Sequence, residues 1–468
     1  MSGRREAGGA AFGLRPGQAK ALRAWGEALD SGRTSELVVV PVGYGKTVIG
    51  VGSYAVARER VRAEACLYLT PTDVLRTQVY GGVERALGML DSSVGVRKAL
   101  ADNAAPQRLT RAKADFVVAT YQQVVAAPGM YQRMCESKRV HLVCDEAHHL
   151  GERGRWAAVV SSLGAKSTLL LSATPVRLDR DAIAGARYVP DTELGGDVID
   201  PLVYVSMRQA WKEGRILKRL AMQMKDYSVE LRDATGAVLT FTASEMAELP
   251  DFDQRCVREQ LRWNEDYVEP LVREFARALI AKQGGKRGTH QGLVFAATTE
   301  HANHLYRLFG RWHSSLRCAV VHSADIGDAE NERRMTDFHA GKYDVLIQVR
   351  KASEGFDAPA VSVLLKLDAV HSREPLIQQL GRGLRYNHGI PDRENVLHVF
   401  IGRDPRLQPL IEQLEREAPP VIERLGDSGP AEMRDDLPEI EFEDEERTAR
   451  EVVDVVEAGD AYLDHTGR

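Results

Sequence analysis

Residues 37–47 read LVVVPVGYGKT, an apolar run followed by a glycine turn and then by Lys-Thr at the start of a helical pattern. Gly43 and Gly45, on either side of Tyr44, can adopt backbone angles that other residues resist. The N–H groups at a helix N-terminus attract anions. The stretch therefore predicts a nucleotide phosphate site, in which Lys46 reaches the β- and γ-phosphates and Thr47 binds Mg²⁺.

This loop departs from the usual phosphate-loop pattern at one position, because Val40 stands where the first glycine is expected. The alternative interpretation is a glycine turn that arose by chance between a strand and a helix. The order of strand, loop and helix favours the phosphate site.

A second apolar run, in RVHLVCDEAHHL (residues 139–150), ends in two adjacent carboxylates about 100 residues after the loop. Asp145 is predicted to hold Mg²⁺ opposite Thr47, and Glu146 to activate the attacking water as a general base. Such a pair suits phosphoryl transfer, which depends on positioning and charge neutralisation. His148 is predicted to couple this site to the rest of the protein.

Short apolar runs alternate with longer mixed segments along the chain, which is typical of βα units around a parallel sheet. The runs are Leu37–Val40, Cys66–Leu69, Phe116–Ala119, His141–Cys144 and Thr168–Leu171, then Gly292–Ala296, Cys318–Val321, Val345–Gln348, Val361–Leu365 and Val396–Ile401. We expect an α/β fold with two parallel-sheet lobes in tandem, spanning residues 1–190 and 265–405.

The remaining segments are predicted to be an intervening linker (191–264) and a C-terminal extension (406–468). Tyr227–Thr242 has the pattern of a hairpin with a turn near Gly236, and Asn264–Lys282 that of a helix. The extension is expected to be helical after Arg403, then acidic and solvated, and to end in an amphipathic helix.

Composition indicates a soluble, cytoplasmic protein, because no stretch approaches the roughly 20 apolar residues of a membrane helix and no secretory signal pattern is visible. The five cysteines are scattered, so neither a zinc site nor a disulfide framework is predicted. The net charge is −5, but residues 428–468 carry fourteen acidic and four basic residues. The rest of the chain is therefore mildly basic, as binding to a polyanion requires.

From Leu14 to about Phe400, the sequence resembles the DEAH-box helicases of superfamily 2, and within them the group of restriction-enzyme motors and DNA-repair helicases. Its motifs occur in the family's order. The resemblance implies two RecA-like lobes, ATP with Mg²⁺ as cofactors and nucleic acid as partner.

In the first lobe, the resemblance assigns LRPGQ to adenine recognition through Gln18 and Arg15, although a helix that simply begins at Pro16 is an equal alternative. Contacts to the nucleic-acid backbone are implied for Thr70, Pro71, Thr72 and Arg76, and for Thr120 and Tyr121. LLLSATP matches the motif that couples hydrolysis to movement, through Ser172 and Thr174.

In the second lobe, nucleic-acid contacts are implied for Phe295, His322, Ser323 and Arg350, and a contact to the ATP ribose for Gly355 and Asp357. Val349 departs from the family's threonine, and Arg350 or Lys351 is expected to compensate by charge. IQQLGRGLRYN matches the motif whose Gln378, Arg382 and Arg385 act in catalysis. The two arginines, predicted on one helical face, would reach the γ-phosphate.

The resulting hypothesis is an ATP-dependent translocase, with DNA favoured over RNA because YVSMRQAWKEGRILKR resembles a segment of restriction and repair motors. No nuclease signature is visible, so a system that cleaves DNA would need a separate nuclease or defence subunit. Two alternatives remain: a nucleotide-gated binding subunit that does not move, and an RNA helicase of the DExH type.

Overall fold

The structure is a computed structural model. It describes residues 13–90, 95–104, 114–175, 177, 181–191, 196–232, 235–322, 327–349, 358–368, 373–404, 407, 409, 421–422 and 451–463. The chain divides into two compact units, residues 1–206 with 419–437 and residues 207–418 with 438–468. Within the described residues, no helix combines the length and the apolar character that crossing a membrane requires.

The first unit is built on a parallel sheet with the strand order β3-β4-β2-β5-β6-β1-β9. Its strands are short because each apolar run ends at a turn or at a helix cap. The elements are α1 (Pro16–Asp30), β1 (Ser35–Val39), α2 (Lys46–Val61), β2 (Ala65–Thr70), α3 (Asp73–Met89), β3 (Lys98–Leu100), β4 (Phe116–Thr120), α4 (Tyr121–Ala126), α5 (Pro128–Ser137), β5 (Val140–Asp145), α6 (Arg155–Ser161), β6 (Ser167–Ser172), β7 (Tyr188–Asp191), β8 (Gly196–Ile199) and β9 (Val203–Tyr204).

The second unit is built on a mostly parallel sheet with the order β11-β10-β16-β15-β12-β14-β13. Among the described strands of this sheet, β11 and a C-terminal strand pair antiparallel, both with β10. The elements are α7 (Met207–Glu213), β10 (Arg219–Arg232), β11 (Val238–Thr242), α8 (Asp251–Leu261), α9 (Glu265–Gln283), β12 (Gln291–Phe295), α10 (Thr299–Trp312), β13 (Cys318–Val321), α11 (Asp328–His339), β14 (Val345–Gln348), β15 (Val361–Lys366), α12 (Arg373–Leu384) and β16 (Val396–Gly402).

These two sheets confirm the predicted pair of parallel-sheet α/β lobes and the predicted strands. The hairpin is confirmed as β10 and β11, and the helix at Asn264–Lys282 as α9, whose first turn Asn264 caps by accepting from the amide of Tyr267. In parallel sheets of this kind the carboxyl ends of the strands carry ligand sites.

The segment 191–264, predicted as a linker, is divided between the two units. Its second part belongs to the second unit and has its own small core, in which Val229 and Leu231 of β10 pack with Val257 and Leu261 of α8. The weak local pattern of this segment reflects residues that are buried only after β10 pairs with strands far away in the sequence.

The C-terminal extension corrects another prediction. Its described parts include two strands, β17 (Val421–Ile422), which pairs with β8, and β18 (Glu451–Leu463), which pairs antiparallel with β10. The predicted terminal amphipathic helix is therefore wrong for residues 451–463. Val455 of β18 contributes to the small core of the second unit. The helix expected after Arg403 lies mostly outside the described residues.

A buried histidine joins three elements of the first unit. The Nε2 atom of His141 in β5 lies 2.8 Å from the Ser53 hydroxyl of α2, and its Nδ1 atom lies 2.9 Å from the Ser167 hydroxyl of β6. The ring also packs against Trp25 of α1. Burial lowers the pKa of His141 to about 3, so the imidazole is neutral at physiological pH.

Because His141 is buried in its neutral form, we expect the protein to lose stability in acid. Below pH 6.5, the ordinary imidazole pKa, the unfolded chain takes up a proton that the folded chain excludes down to about pH 3. Each pH unit in that window removes about 1.4 kcal/mol from the free energy of unfolding. His141→Leu should be less stable than the wild type at pH 7.5, and the difference should narrow as the pH falls. Denaturant titrations at pH 7.5, 6 and 5 measure this, and a constant difference would contradict the prediction.

Candidate functional sites of the two units

The glycine loop after β1 has the backbone that an anion site needs. Gly43 and Gly45 have φ angles of 82° and 99°, in the left-handed region that favours glycine. Helix α2 begins directly afterwards at Lys46, and Gly45 is its N-cap without a side-chain cap. The first N–H groups of a helix have no partners within the helix, so this loop presents donors to a negative group.

The side chains of Arg15 and Gln18 support this loop. Arg15 Nη1 donates to the carbonyls of Gly43 at 3.0 Å and Tyr44 at 2.6 Å. Gln18 Nε2 donates to the Tyr44 carbonyl at 3.0 Å, and the Tyr44 hydroxyl accepts from the amide of Gly17 at 2.9 Å. Helix α1 does begin at Pro16, so the two interpretations of LRPGQ are compatible. Adenine recognition stays a prediction.

Lys46 and the two predicted carboxylates form one cluster. Lys46 Nζ forms an ion pair with Glu146 Oε1 and lies 3.8 Å from Asp145 Oδ1. Asp145 is the last residue of β5, and its Oδ2 accepts from the Tyr68 hydroxyl at 2.9 Å. Glu146 has a φ of 51°, which turns the chain sharply after the strand. Parallel pairing of β5 between β2 and β6 holds the pair beside the glycine loop.

The charges of this cluster set the state of the two acids. Burial raises the pKa of the Asp145 carboxyl, and the nearby charge of Lys46 opposes that shift only in part. Burial also acts to raise the pKa of Glu146, but the charges of Lys46 and His148 outweigh it and lower the pKa to about 2. Glu146 is therefore a carboxylate at neutral pH, as a general base must be.

The donor set of the cluster fits Mg²⁺. This ion prefers oxygen ligands and commonly takes only one or two from the protein, with phosphate and water completing its shell. The Asp145 carboxylate and the Thr47 hydroxyl are such ligands. The described residues contain no group of three or more histidines, cysteines or carboxylates that could hold a metal by themselves.

A hydroxyl network joins the carboxylate cluster to the end of β6. His148 Nδ1 lies 3.6 Å from Glu146 Oε2, 3.2 Å from the Ser172 hydroxyl and 3.4 Å from the Thr174 hydroxyl. Ser172 in turn donates to the Thr174 carbonyl at 2.8 Å. The three residues predicted to couple hydrolysis to movement are thus brought together in one network beside Glu146.

In the second unit, Gln378 and Arg382 lie on α12, and Arg385 follows its last residue. Arg382 is only 6% exposed. Arg385 pairs as an isolated antiparallel bridge with Leu217, so the prediction of both arginines on one helical face is wrong in this detail. The reason is that Arg385 pairs with Leu217, so that the helix ends at Leu384.

Two family models match the sequence. The model for the type III restriction enzyme, res subunit, matches residues 11–177, which contain the glycine loop and the Asp145–Glu146 pair. The model for the helicase conserved C-terminal domain matches residues 272–387, which contain α12. The chain belongs to helicase superfamily 2. Its helicase domains imply an enzyme that hydrolyses ATP.

One relative can be aligned with most of the chain. An uncharacterised protein of Mycobacterium tuberculosis is 25% identical over 413 residues, which are 83% of this chain and 61% of that protein. This helicase chain thus spans about three-fifths of the length of that curated relative.

Two solved structures share the fold. The ATP-dependent type ISP restriction-modification enzyme LlaBIII bound to DNA matches with a TM-score of 0.52 and 14% identity over 88% of this chain and 30% of that one. The helicase Lhr of Mycobacterium smegmatis bound to ssDNA and AMP-PNP matches with a TM-score of 0.51 and 16% identity over 87% of this chain and 48% of that one. The tandem RecA-like architecture predicted from the sequence is confirmed.

The first helicase loop predicted to grip nucleic acid follows β2. Thr72 caps α3 by accepting from the amide of Leu75 at 3.3 Å, and Arg76 donates to the Ala101 carbonyl at 3.1 Å. Thr70 is fully buried, and its hydroxyl donates to the Thr72 carbonyl at 3.1 Å. The Thr70 side chain therefore shapes the loop, and nucleic-acid contact stays a prediction for Pro71, Thr72 and Arg76.

The second helicase loop corrects the prediction for Tyr121. This side chain is fully buried, stacks on Trp156 with ring centroids 5.2 Å apart and donates its hydroxyl to the Asp145 carbonyl at 2.8 Å. Thr120 is also buried and caps α4 by accepting from the amide of Gln123. Tyr121 thus holds the end of the carboxylate strand and Thr120 holds the start of α4, so neither buried side chain is presented to nucleic acid.

In the second unit the structure again buries two predicted contacts. Phe295 is 3% and His322 is 1% exposed, and the His322 backbone exchanges two hydrogen bonds with the Asn331 side chain. Both side chains are buried inside the second unit. The prediction that they contact nucleic acid directly is therefore corrected. The predictions for Ser323, Arg350, Gly355 and Asp357 lie outside the described residues.

Sequence reasoning missed Tyr68 and Lys218. Tyr68 donates to the helicase carboxylate Asp145, and its only signal was its place on a strand next to β5. Lys218 is a fully buried lysine, and nothing in the pattern around it indicated burial.

Proposed function

We propose that this superfamily 2 helicase is an ATP-driven translocase on DNA. The observation that carries the proposal is the cluster of Lys46, Asp145 and Glu146 beside the glycine loop. Its lysine suits a triphosphate, its buried aspartate suits Mg²⁺, and its ionised glutamate suits proton removal from water.

The residues predicted to act in ATP hydrolysis and in its coupling to movement have separate roles in this proposal. Lys46 neutralises the transferred phosphate, and Thr47 and Asp145 would hold Mg²⁺, which neutralises charge on the phosphates when bound. Glu146 takes the proton of the attacking water. Gln378, Arg382 and Arg385 of the second unit are assigned to catalysis in this proposal, which therefore gives both units a role in hydrolysis. The network of His148, Ser172 and Thr174 is suited to report on the charge of Glu146.

The proposed substrate is DNA. The family model that matches the first unit is that of a restriction-enzyme subunit, and LlaBIII and Lhr were solved bound to DNA and to ssDNA, respectively. We further propose that a DNA-cleaving system containing this chain supplies its nuclease on a separate subunit. We also propose that residues 1–190 form the ATP-binding lobe and that residues 265–405 form the helicase C-terminal lobe.

The test is an ATPase assay with single-stranded DNA, duplex DNA and RNA, each in a short and a long form. A translocase on DNA should be stimulated more by long than by short DNA, because longer tracks allow more cycles before release. Stimulation that does not depend on length supports the nucleotide-gated binding subunit, and stimulation by RNA alone supports an RNA helicase. Lys46→Ala is the inactive control.

A further inference from the structure

Lys218, the residue before β10, carries an ammonium group inside the second unit. The side chain is fully buried. Its Nζ donates to the carbonyls of Pro359 at 2.7 Å, Val361 and Gly383 at 3.0 Å. An ammonium has three donors and no acceptor, so three carbonyls satisfy it completely.

One of these three carbonyls, that of Gly383, lies at the end of α12, the helix that carries Arg382. Gly383 is in the last turn of α12, and the amide of Lys218 donates to the carbonyl of the next residue, Leu384, at 2.7 Å. The last carbonyls of a helix lack partners within the helix and carry partial negative charge. Lys218 thus caps α12 with its side chain and with its backbone.

The chain around Lys218 holds the residues beyond the helix as well. Leu217 forms a bridge with Arg385, and the amide of Tyr386 donates to the Ile216 carbonyl at 3.2 Å. Arg382 directly precedes Gly383, and Arg385 directly follows Leu384. Residues 216–218 therefore hold the backbone at Arg385 and on both sides of it, and the backbone that directly follows Arg382.

The other two carbonyls lie where the chain enters β15, at Pro359 and Val361. A single buried group thus links the start of β15 to the end of α12. Among the described residues no carboxylate forms an ion pair with Lys218. Burial, with a smaller effect from Lys282, lowers the pKa of Lys218, and the three carbonyl acceptors favour the charged ammonium form. A buried charge of this kind costs stability, which a neutral side chain of similar size would avoid.

We propose that Lys218 is a positioning residue for ATP hydrolysis, which fixes the last turn of α12 so that Arg382 and Arg385 are held in their working orientation. The inference rests on the proposed ATPase function and adds a residue that touches no substrate. Misplacing a catalytic group by about 1 Å costs up to about 100-fold in rate.

The test compares Lys218→Met with Lys282→Met. Lys282 of α9 is the matched control, because its Nζ also donates to backbone carbonyls, those of Val396 at 2.9 Å and Glu394 at 3.4 Å, which lie at the start of β16 and not on α12. We expect kcat for ATP to fall about 10- to 100-fold in Lys218→Met, with KM within about twofold. Lys282→Met should lose thermal stability but keep kcat within about threefold of the wild type.

A double-mutant cycle separates positioning from general destabilisation. If Lys218 acts through Arg382, Lys218→Met should add little to the loss caused by Arg382→Ala, because interacting residues are not additive. The proposal would be overturned if Lys218→Met lowered kcat by the same factor with and without Arg382. An unchanged kcat in Lys218→Met would also overturn it.

A second variant covers the case in which Lys218→Met does not fold. A Cβ at Gly383 would come within 2.4 Å of Leu397 Cδ1, so Gly383→Ala should crowd the last turn of α12 while keeping the lysine, and hydrogen exchange at residues 384–387 shows whether the turn has moved. Where the turn has moved, kcat should fall without KM rising more than about twofold, and an unchanged kcat then refutes the role of this turn.

Hydrogen exchange separates this inference from the proposed function. Faster exchange at residues 384–387 of Lys218→Met or Gly383→Ala, with exchange at 291–295 unchanged, supports the positioning role even if the wild type fails to hydrolyse ATP. That failure would refute the proposed function alone. Unchanged exchange at 384–387 would refute the inference alone.

Discussion

Replacing Glu146 with glutamine is expected to lower kcat for ATP hydrolysis by about 10²- to 10⁴-fold, the range that general base catalysis contributes. The substitution keeps the shape of the side chain and removes its capacity to take a proton. The charges of Lys46 and His148 lower the pKa of Glu146 although burial acts to raise it, so the wild-type side chain is a carboxylate that can accept the proton at neutral pH. Steady-state release of phosphate at saturating ATP measures the loss.

Two measurements make this experiment specific. Glu152→Gln is the control, because Glu152 is an exposed glutamate in the same unit, and its kcat should match the wild type. Binding of a fluorescent ATP analogue should persist in Glu146→Gln, since the variant frees Lys46 from its ion pair. A variant that retains half of the wild-type kcat would show that Glu146 is not the base.

The ATP site could be predicted from the sequence because its parts are local. A glycine turn between a strand and a helix fixes Lys46, and a carboxylate pair at a strand end fixes Asp145 and Glu146. Parallel pairing then brings the two strand ends to one edge of the sheet. Each step needs only residues that are close in the sequence and one general rule of topology.

The wrong and missed predictions concern residues whose structure depends on partners that are distant in the sequence. Tyr121 follows an apolar run at the end of a strand, so a nucleic-acid contact was predicted for it, but its ring stacks on Trp156. The acidic Glu451–Leu463 segment fits a helix or a strand equally well by its pattern, and its pairing with β10 decides the outcome. Lys218 finds its carbonyl partners more than 140 residues away. Tertiary contacts of this kind leave no signal in a local window.

Replacing Arg382 with alanine is expected to lower kcat by about 10³-fold or more, the lower end of the effect of an arginine that stabilises a transferred phosphate. A guanidinium is planar and always charged, so it matches the charge that develops on the phosphate. Arg382 is also well placed to keep a fixed orientation, because it is 6% exposed and sits in the turn that Lys218 caps. Binding of the ATP analogue should change little, since the loss concerns the transition state.

The control for this prediction is Arg393→Ala. Arg393 belongs to the same unit, but its side chain is 85% exposed, so its removal should leave kcat within about twofold. Arg382→Lys discriminates further: it keeps the charge and loses the planar fork, and we expect it to recover less than a tenth of the wild-type kcat. If Arg382→Ala hydrolyses ATP as fast as the wild type and stays folded, α12 is a structural helix. ATP hydrolysis would then belong to the first unit alone, and a motor that needs both units could not be built on it.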